Sequence, residues 1–171
     1  MIKMKTIYHK TVLLHEAVEG LNINPKGIYV DVTFGGGGHS KEILSFLSAN
    51  GKLFAFDQDE EAFTNQFDDP RFQLIKGNFS EVKRYLKFYG VTKIDGIIAD
   101  FGVSSHQLDS AKRGFSTRFD GPLDMRMSNS SQFDASKVVN EYSMEDLIDV
   151  LTQNGELRNA HKLASTITVS Y

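Results

Sequence analysis

Four consecutive glycines at positions 35–38 are the clearest chemical signal in the sequence, because they separate a run typical of a buried strand from a helical pattern. Glycine lets a backbone approach a ligand closely, and the start of the next helix offers free N–H groups and a partial positive charge. The turn that begins at Gly35 is therefore predicted to bind a nucleotide-like cofactor. The alternative is a connector that only lets the helix pack, a role for which four glycines lose much conformational entropy on folding.

An aspartate at the end of the next apolar run supports the same interpretation. Asp57 follows Gly35 by 22 residues, a separation at which a carboxylate accepts hydrogen bonds from the ribose hydroxyls of an adenosine cofactor. This pair alone does not separate S-adenosyl-L-methionine from NAD. The glycines, however, depart from the dinucleotide pattern G-x-G-x-x-G, because Ser40 occupies its last position.

Asp100 ends a further apolar run and is followed by the aromatic residue Phe101. Open parallel sheets bind ligands at the carboxyl ends of their strands, and amino-group methyltransferases hold the target amine there with hydrogen-bond acceptors. Asp100 is therefore the candidate catalytic residue. The chain contains no cysteine, so neither a thiolate metal site nor a cysteine nucleophile can form within it.

The elements that must position these residues alternate along the first hundred residues. Predicted strands cover 28–32, 52–56, 72–75 and 94–99, and predicted helices cover 11–20, 40–49, 59–67 and 81–89. Thr11 is the candidate N-cap of the first helix. The alternation indicates right-handed βαβ units and a parallel sheet, which is an α/β fold of the Rossmann-like class.

The second half of the chain has weaker signals. Residues 101–131 show no clear period. Short helices are predicted over 134–142 and 143–151, and Ser143 with Asp146 forms a variant of the capping box. A last helix is predicted over 156–167, although the final residues TITVSY are equally compatible with a strand.

Three long motifs lie outside the glycine turn: GNFSE (77–81), DFGVSSHQLD (100–109) and RGFSTRFDGPLDMRM (113–127). Together with YHKTVLLHEAVEGL (8–21) and YVDVTFGGGGHS (29–40), they resemble the bacterial small-subunit ribosomal RNA cytosine-N4 methyltransferases. The resemblance covers the whole chain and weakens near its end. Gly36 stands where the family more often has arginine, and NGEL (154–157) stands where YGEE is usual.

The resemblance implies S-adenosyl-L-methionine as the cofactor and the N4 amino group of a cytidine in small-subunit ribosomal RNA as the methyl acceptor. The residues expected to bind the cofactor are Gly35, Gly37, Gly38, His39, Asp57, Phe79, Asp100 and Gln107. Among them, Asp57 would hold the ribose, Phe79 would pack against the adenine, and Asp100 would stand at the active site. From the residues alone, His39 is equally compatible with a packed histidine.

The resemblance also implies the domain organisation. Residues 1–107 would form the cofactor-binding part, and 108–171 would begin a mainly helical insert that helps to bind RNA. Family members are longer than this chain, and a full sheet of the class has more than four strands. We therefore expect the chain to be an N-terminal portion with an incomplete sheet.

Four basic residues between positions 112 and 126 are interleaved with Phe115 and Phe119; they are Lys112, Arg113, Arg118 and Arg126. Arginines beside aromatic rings suit a splayed single-stranded base and its phosphates. The alternative is that the arginines pair with the aspartates at 109, 120 and 124 and brace an irregular loop, a role we expect for about half of these charges.

Whole-chain properties limit the remaining classes of function. The formal net charge of −3 disfavours nonspecific polyanion binding, so RNA contact requires a local basic patch. No apolar run suits a signal peptide or a membrane span, so we expect a cytoplasmic protein without a membrane partner. The alternatives to a methyltransferase are an NAD-dependent oxidoreductase and a noncatalytic RNA-binding module.

Overall fold

The structure, a computed structural model, describes residues 11–169 of the chain. Residues 8–10 of the first motif and the last two residues of the tail lie outside the described residues. The chain forms two compact units, which divide between His106 and Gln107. The predicted assignment of residues 1–107 to the cofactor and 108–171 to RNA remains a prediction.

A parallel sheet forms the centre of the first unit, as the alternating pattern predicted. Its strands within the described residues are β1 (Ile28–Asp31), β2 (Lys52–Asp57), β3 (Phe72–Lys76) and β4 (Gly96–Ile98). They are ordered β3-β2-β1-β4, and every pair is parallel. The carboxyl ends of all four strands consequently lie along one edge. The Rossmann-like α/β prediction is confirmed.

Helices connect these strands and cover the sheet. They are α1 (Leu14–Gly20), α2 (Gly38–Phe46) and α3 (Val82–Phe88), with 3₁₀ segments at Glu60–Asn65 and Phe79–Glu81. The predicted helix over 59–67 is thus a shorter 3₁₀ segment. It is capped by the Asp59 carboxylate, which accepts a hydrogen bond from the Glu61 N–H, and the Asp-Asp-Pro sequence that follows prevents its extension.

The predicted N-cap role of Thr11 is wrong. Helix α1 begins at Leu14, and its N-cap is Leu13 in a left-handed conformation with no side-chain cap. The Thr11 side chain instead lies where a Cβ on Gly38 would stand. Thr11 therefore packs against the start of α2, and Gly38 leaves the space that this contact needs.

The core of the first unit has a layer on each face of the sheet. Alternate residues of β1 point to opposite faces, since Tyr29 packs with α1 and α2, whereas Val30 packs with α3. Both side chains are fully buried. These two layers hold the strands in register and so determine which residues meet at the carboxyl edge.

The second unit is helical. Its elements are α4 (Ser105–Asp109, which starts before the division), a 3₁₀ turn (Ala111–Arg113), α5 (Ala135–Glu141), α6 (Met144–Gln153) and α7 (Ala160–Val169). The capping prediction is confirmed, because the Asp146 N–H donates to the Ser143 hydroxyl. The tail is helical through Val169, so the strand alternative is wrong for its described part. Helix α4 was not predicted because five residues show no period.

Within residues 11–169, none of the helices is both long enough and apolar enough to cross a membrane.

Candidate cofactor site

The glycine turn joins β1 to α2 at the carboxyl edge of the sheet. Gly35 and Gly37 have φ values of 50° and 76°, a left-handed conformation that glycine adopts without a steric cost. The Gly35 N–H donates to Asp57 Oδ2 at 2.7 Å, and the Gly35 carbonyl accepts from Asn65 Nδ2 at 3.0 Å. The turn is thereby fastened to the end of β2 and to the segment after it.

The four glycines are not equivalent. A Cβ on Gly37 would lie 3.0 Å from two ring carbons of Phe34, in addition to its positive φ. Gly36 is exposed and is not among the glycines with a positive φ. The positive φ and the nearby Phe34 ring therefore disfavour a side chain at position 37, whereas position 36, where arginine is frequent in the resembling family, is exposed and lacks a positive φ.

Asp57 is positioned as its spacing predicted, at the end of the strand next to β1. Its Oδ2 accepts from Gly35, and its Oδ1 accepts from the Asp59 N–H at 2.8 Å. A carboxylate has about four lone-pair sites, so acceptor capacity remains for ribose hydroxyls. Burial raises the pKa of Asp57, and the backbone hydrogen bonds oppose this rise.

Asp100 stands two residues beyond β4 at the same edge. Its backbone N–H donates to Thr33 Oγ1 at 2.8 Å, which places it beside the end of β1. Its residue surface is exposed. The predicted catalytic residue thus lies just beyond β4, the strand next to the one that leads into the glycine turn, and it is open to a ligand.

Two aromatic residues form an exposed pair at this edge. Phe79, which follows β3, and Phe101, which follows Asp100, have ring centroids 5.2 Å apart and an interplanar angle of 54°. Their residue surfaces are 43% and 68% exposed. Phe79 was predicted to pack against adenine, but its contact with Phe101 was not anticipated. An exposed aromatic pair offers a planar ring a place to stack.

His39 lies in the first turn of α2 and is 6% exposed. Its Nε2 is buried, and no hydrogen-bond partner for it occurs among residues 11–169. A buried polar atom normally has a partner. This unsatisfied atom therefore favours contact with a bound ligand over the packed-histidine alternative.

Asp31, Thr33 and Ser40 are linked by hydrogen bonds at the same edge, although none of them was predicted as a site residue. Asp31 is completely buried and accepts from Ser40 Oγ at 2.7 Å and from the Thr33 N–H at 3.0 Å. Burial raises the pKa of the Asp31 carboxyl more than these hydrogen bonds lower it. A carboxylate inside the apolar run IYVDV was the available signal, because a buried charge requires local partners.

Gln107 is the one predicted cofactor residue outside the first unit. It is buried in α4, where the second unit begins. Its role at the methionine end of the cofactor remains a prediction.

Arginines in the second unit brace their own loop. Arg126 binds the Asp124 carboxylate at 2.6 Å and the Ser131 carbonyl at 2.7 Å. The pairing with Arg126 also holds the pKa of Asp124 below its usual value. Arg113 is buried and donates to the Arg126 carbonyl at 2.8 Å. Arg126 thus pairs with an aspartate as the bracing alternative predicted, and Arg113 braces the same loop through the Arg126 carbonyl.

Arg118 also has a local partner, because it binds Asp109 Oδ1 at 2.8 Å. Its guanidinium lies 5.5 Å from the ring centroid of Phe119. Both partners of the ion pair are largely exposed, so the pair contributes little to stability. Arg118 and the exposed Lys112 are consequently better suited than Arg113 or Arg126 to meet RNA.

The first unit also has a cavity of about 290 Å³, lined by Ala49, Gly51, Lys52, Pro70 and Arg71. These residues lie at the amino ends of β2 and β3, opposite the glycine turn. Arg71 is engaged with Asp69 at 2.6 Å. This cavity is therefore separate from the candidate cofactor site.

The residues at the carboxyl edge fit an adenosine cofactor with an amino-acid tail. The glycine turn permits close approach, Asp57 retains acceptor capacity, Phe79 offers a stacking surface, and His39 has an unsatisfied ring nitrogen. No group of three or more potential metal ligands occurs in the described part of the chain.

Comparisons with known proteins agree with this geometry. The model of the MraW methylase family matches residues 6–170. A ribosomal RNA small subunit methyltransferase H from Flavobacterium johnsoniae is 62% identical over 160 residues, which are 94% of this chain and 53% of the relative. The enzyme of the same name from Christiangramia forsetii is 58% identical over the same shares.

A more distant relative of that name, from Phocaeicola vulgatus, is 53% identical over 167 residues, or 98% of this chain and 55% of the relative. The chain thus spans about half the length of the curated relatives it matches.

Proposed function

This chain belongs to the MraW methylase family, and on that premise we propose that it carries the S-adenosyl-L-methionine site of a ribosomal RNA methyltransferase. The acceptor in this proposal is the N4 amino group of a cytidine in small-subunit ribosomal RNA. The observation that carries the proposal is the hydrogen bond from the Gly35 N–H to Asp57. It joins the glycine turn to the ribose-binding carboxylate at one edge of a parallel sheet.

Each part of the cofactor has a complementary group in this site. Asp57 accepts hydrogen bonds from the ribose hydroxyls, and Phe79 packs against the adenine. Gly35, Gly37 and Gly38 bring the backbone close to the ligand, and His39 supplies a ring nitrogen. Gln107 completes the methionine end in this proposal. The cofactor supplies an electrophilic methyl group.

Catalysis by this chain's residues is mainly a matter of positioning. The lone pair of the cytosine amine is delocalised into the ring, so the amine is a poor nucleophile and must be held in line with the methyl group. Asp100 accepts a hydrogen bond from this amine and orients its nitrogen. The carboxylate also stabilises the positive charge that develops on the nitrogen in the transition state.

The RNA partner in this proposal is the small-subunit ribosomal RNA, either free or within the ribosomal subunit, and the enzyme acts in the cytoplasm. Lys112 and Arg118, with the exposed ring of Phe119, are the local basic and aromatic groups that suit a single-stranded segment. Both relatives are named as ribosomal RNA methyltransferases, which supports this choice of partner.

Cofactor titration separates the three classes of function. We expect calorimetry on this chain to detect S-adenosylhomocysteine at micromolar concentrations and to detect no binding of NAD in the same range. The Asp57→Ala variant identifies the site, because it should bind S-adenosylhomocysteine more weakly than the wild type. Preference for NAD would indicate the oxidoreductase alternative, whereas RNA binding without either cofactor would indicate the noncatalytic module.

A further inference from the structure

A series of three hydrogen bonds connects the start of α2 with the end of β4. Ser40 Oγ donates to Asp31 Oδ2 at 2.7 Å, and the Thr33 N–H donates to Asp31 Oδ1 at 3.0 Å. Thr33 Oγ1 then accepts from the Asp100 N–H at 2.8 Å. The series therefore runs from the cofactor helix, through the end of β1, to the candidate catalytic residue.

Asp31 is an internal anchor of this series. It has no exposed surface, and both of its oxygens have donors from the protein, so it does not reach a substrate. A buried carboxylate is costly unless hydrogen bonds compensate it. The Ser40 hydroxyl and the Thr33 N–H provide these hydrogen bonds. The bond from the Thr33 N–H fixes the backbone at Thr33 and so helps to place the Thr33 hydroxyl.

The Thr33 hydroxyl accepts its hydrogen bond just beyond the last regular pair between β1 and β4. The last paired residues are Asp31 and Ile98, and the Val32 N–H donates to the Ile98 carbonyl at 3.0 Å. Beyond this point, Asp100 is exposed, Phe101 is 68% exposed, and Gly102 has a φ of 146°. The hydrogen bond from the Asp100 N–H to Thr33 thus keeps the segment after β4 attached to the segment after β1 for two residues beyond Ile98.

We propose that Thr33 is a positioning residue, which holds the backbone of Asp100 so that its carboxylate meets the target amine beside the cofactor. The effect on catalysis rests on the proposed methyl transfer, whereas the hydrogen bond from Asp100 to Thr33 is a property of the folded chain alone. Asp31 and Ser40 act through Thr33 and link the position of Asp100 to the start of α2. Thr33 itself does not touch the reacting atoms in this proposal.

The first test measures the hydrogen bond without any activity. Thr33→Val keeps the shape of the side chain and removes the acceptor, whereas Thr33→Ser keeps the hydroxyl. Amide hydrogen exchange of the ¹⁵N-labelled chain should show exchange at Asp100 about tenfold faster in Thr33→Val, and near wild type in Thr33→Ser. Thr92→Val, at an exposed threonine, is the matched control. Unchanged exchange at Asp100 in Thr33→Val would overturn the inference.

The second test measures methyl transfer to RNA by the protein that carries this chain. Thr33→Val should lower kcat about tenfold while the KM for S-adenosyl-L-methionine stays within about twofold, and Thr33→Ser should restore kcat. If Thr33 served folding alone, its loss would not lower kcat while leaving the KM nearly unchanged, and Thr33→Ser would not restore kcat. An active wild type with unchanged kcat in Thr33→Val would overturn only the positioning role. A wild type that transfers no methyl group to RNA would contradict the proposed function as well.

Discussion

At the scale of single residues, Asp57 has one role in the fold and a second, proposed role toward a ligand. Its two oxygens accept from the backbone N–H groups of Gly35 and Asp59, and the bond from Gly35 joins the glycine turn to the end of β2. A substitution at this position therefore has two consequences. It removes the proposed ribose acceptor, and it releases the glycine turn.

Replacement of Asp57 by alanine should weaken S-adenosylhomocysteine binding by roughly 1–3 kcal/mol, because the ribose hydroxyls lose their acceptor in a partly closed site. Calorimetry on the wild type and the variant gives this difference directly. Asp68→Ala, at an exposed carboxylate, is the matched control and should bind like the wild type. Equal affinities for Asp57→Ala and the control would show that Asp57 does not hold the ribose.

The affinity for S-adenosylhomocysteine should also depend on pH. Burial raises the pKa of Asp57 above the usual 3.8, so protonation begins at a higher pH than for an exposed aspartate. As the pH falls through this raised pKa, the carboxylate loses its charge and binding weakens; equivalently, binding at such a pH releases a proton. Calorimetry from pH 7 downward tests this, and Asp57→Asn should remove the dependence. The same dependence in Asp57→Asn would assign it to another group.

At the scale of elements, the turn between β1 and α2 contains glycines with different functions. Gly37 has a φ of 76°, and a Cβ at this position would lie 3.0 Å from the Phe34 ring, whereas Gly36 is exposed. The glycine that caps α2 is therefore constrained by both conformation and space. Its neighbour Gly36 is exposed and does not have a positive φ.

Gly37→Ala should lower the free energy of unfolding by about 1–3 kcal/mol, because a left-handed alanine is strained and the new methyl group displaces Phe34. It should also weaken S-adenosylhomocysteine binding. Urea denaturation and calorimetry measure the two effects, with Gly36→Ala as the matched variant that leaves both nearly unchanged. Similar losses in the two variants would contradict the distinction between these glycines.

The carboxyl edge could be predicted from the sequence because strand and helix alternate locally. The parallel sheet, the glycine turn and Asp57 at the end of β2 follow from that alternation. The bond from Asp100 to Thr33 could not be predicted, since it joins residues 67 positions apart. Which residues meet across two strand ends depends on the strand order and register, and apolar periodicity does not determine these.

Tertiary contacts and a nearby proline explain why the predicted ends of some helices were wrong. Thr11 has the residue type of an N-cap, yet its side chain packs against the start of α2 near Gly38, a contact that no local pattern indicates. The segment after Asp59 has helical composition but forms a 3₁₀ turn before the break at Pro70. In both cases, tertiary contacts or a nearby proline override residue preference.

At the scale of the whole molecule, the two units present different chemistry. The first has the glycine turn, the carboxylates and the exposed aromatic pair at one edge of its sheet. The second has a loop whose arginines are largely engaged with aspartates, and the chain as a whole has a net charge of −3. The proposed RNA recognition would therefore rely on a few local cations and rings rather than on overall charge.

The transfer of a labelled methyl group from S-adenosyl-L-methionine to small-subunit ribosomal RNA is the most direct test of the proposed function. The protein that carries this chain acts in a single turnover, and the RNA is then digested to nucleosides. We expect the label in N4-methylcytidine, and a rate about tenfold or more lower in Asp100→Asn with RNA affinity nearly unchanged; Asp68→Asn is the control. Label in a different nucleoside would contradict the proposed acceptor, and a wild-type rate in Asp100→Asn would remove Asp100 from catalysis.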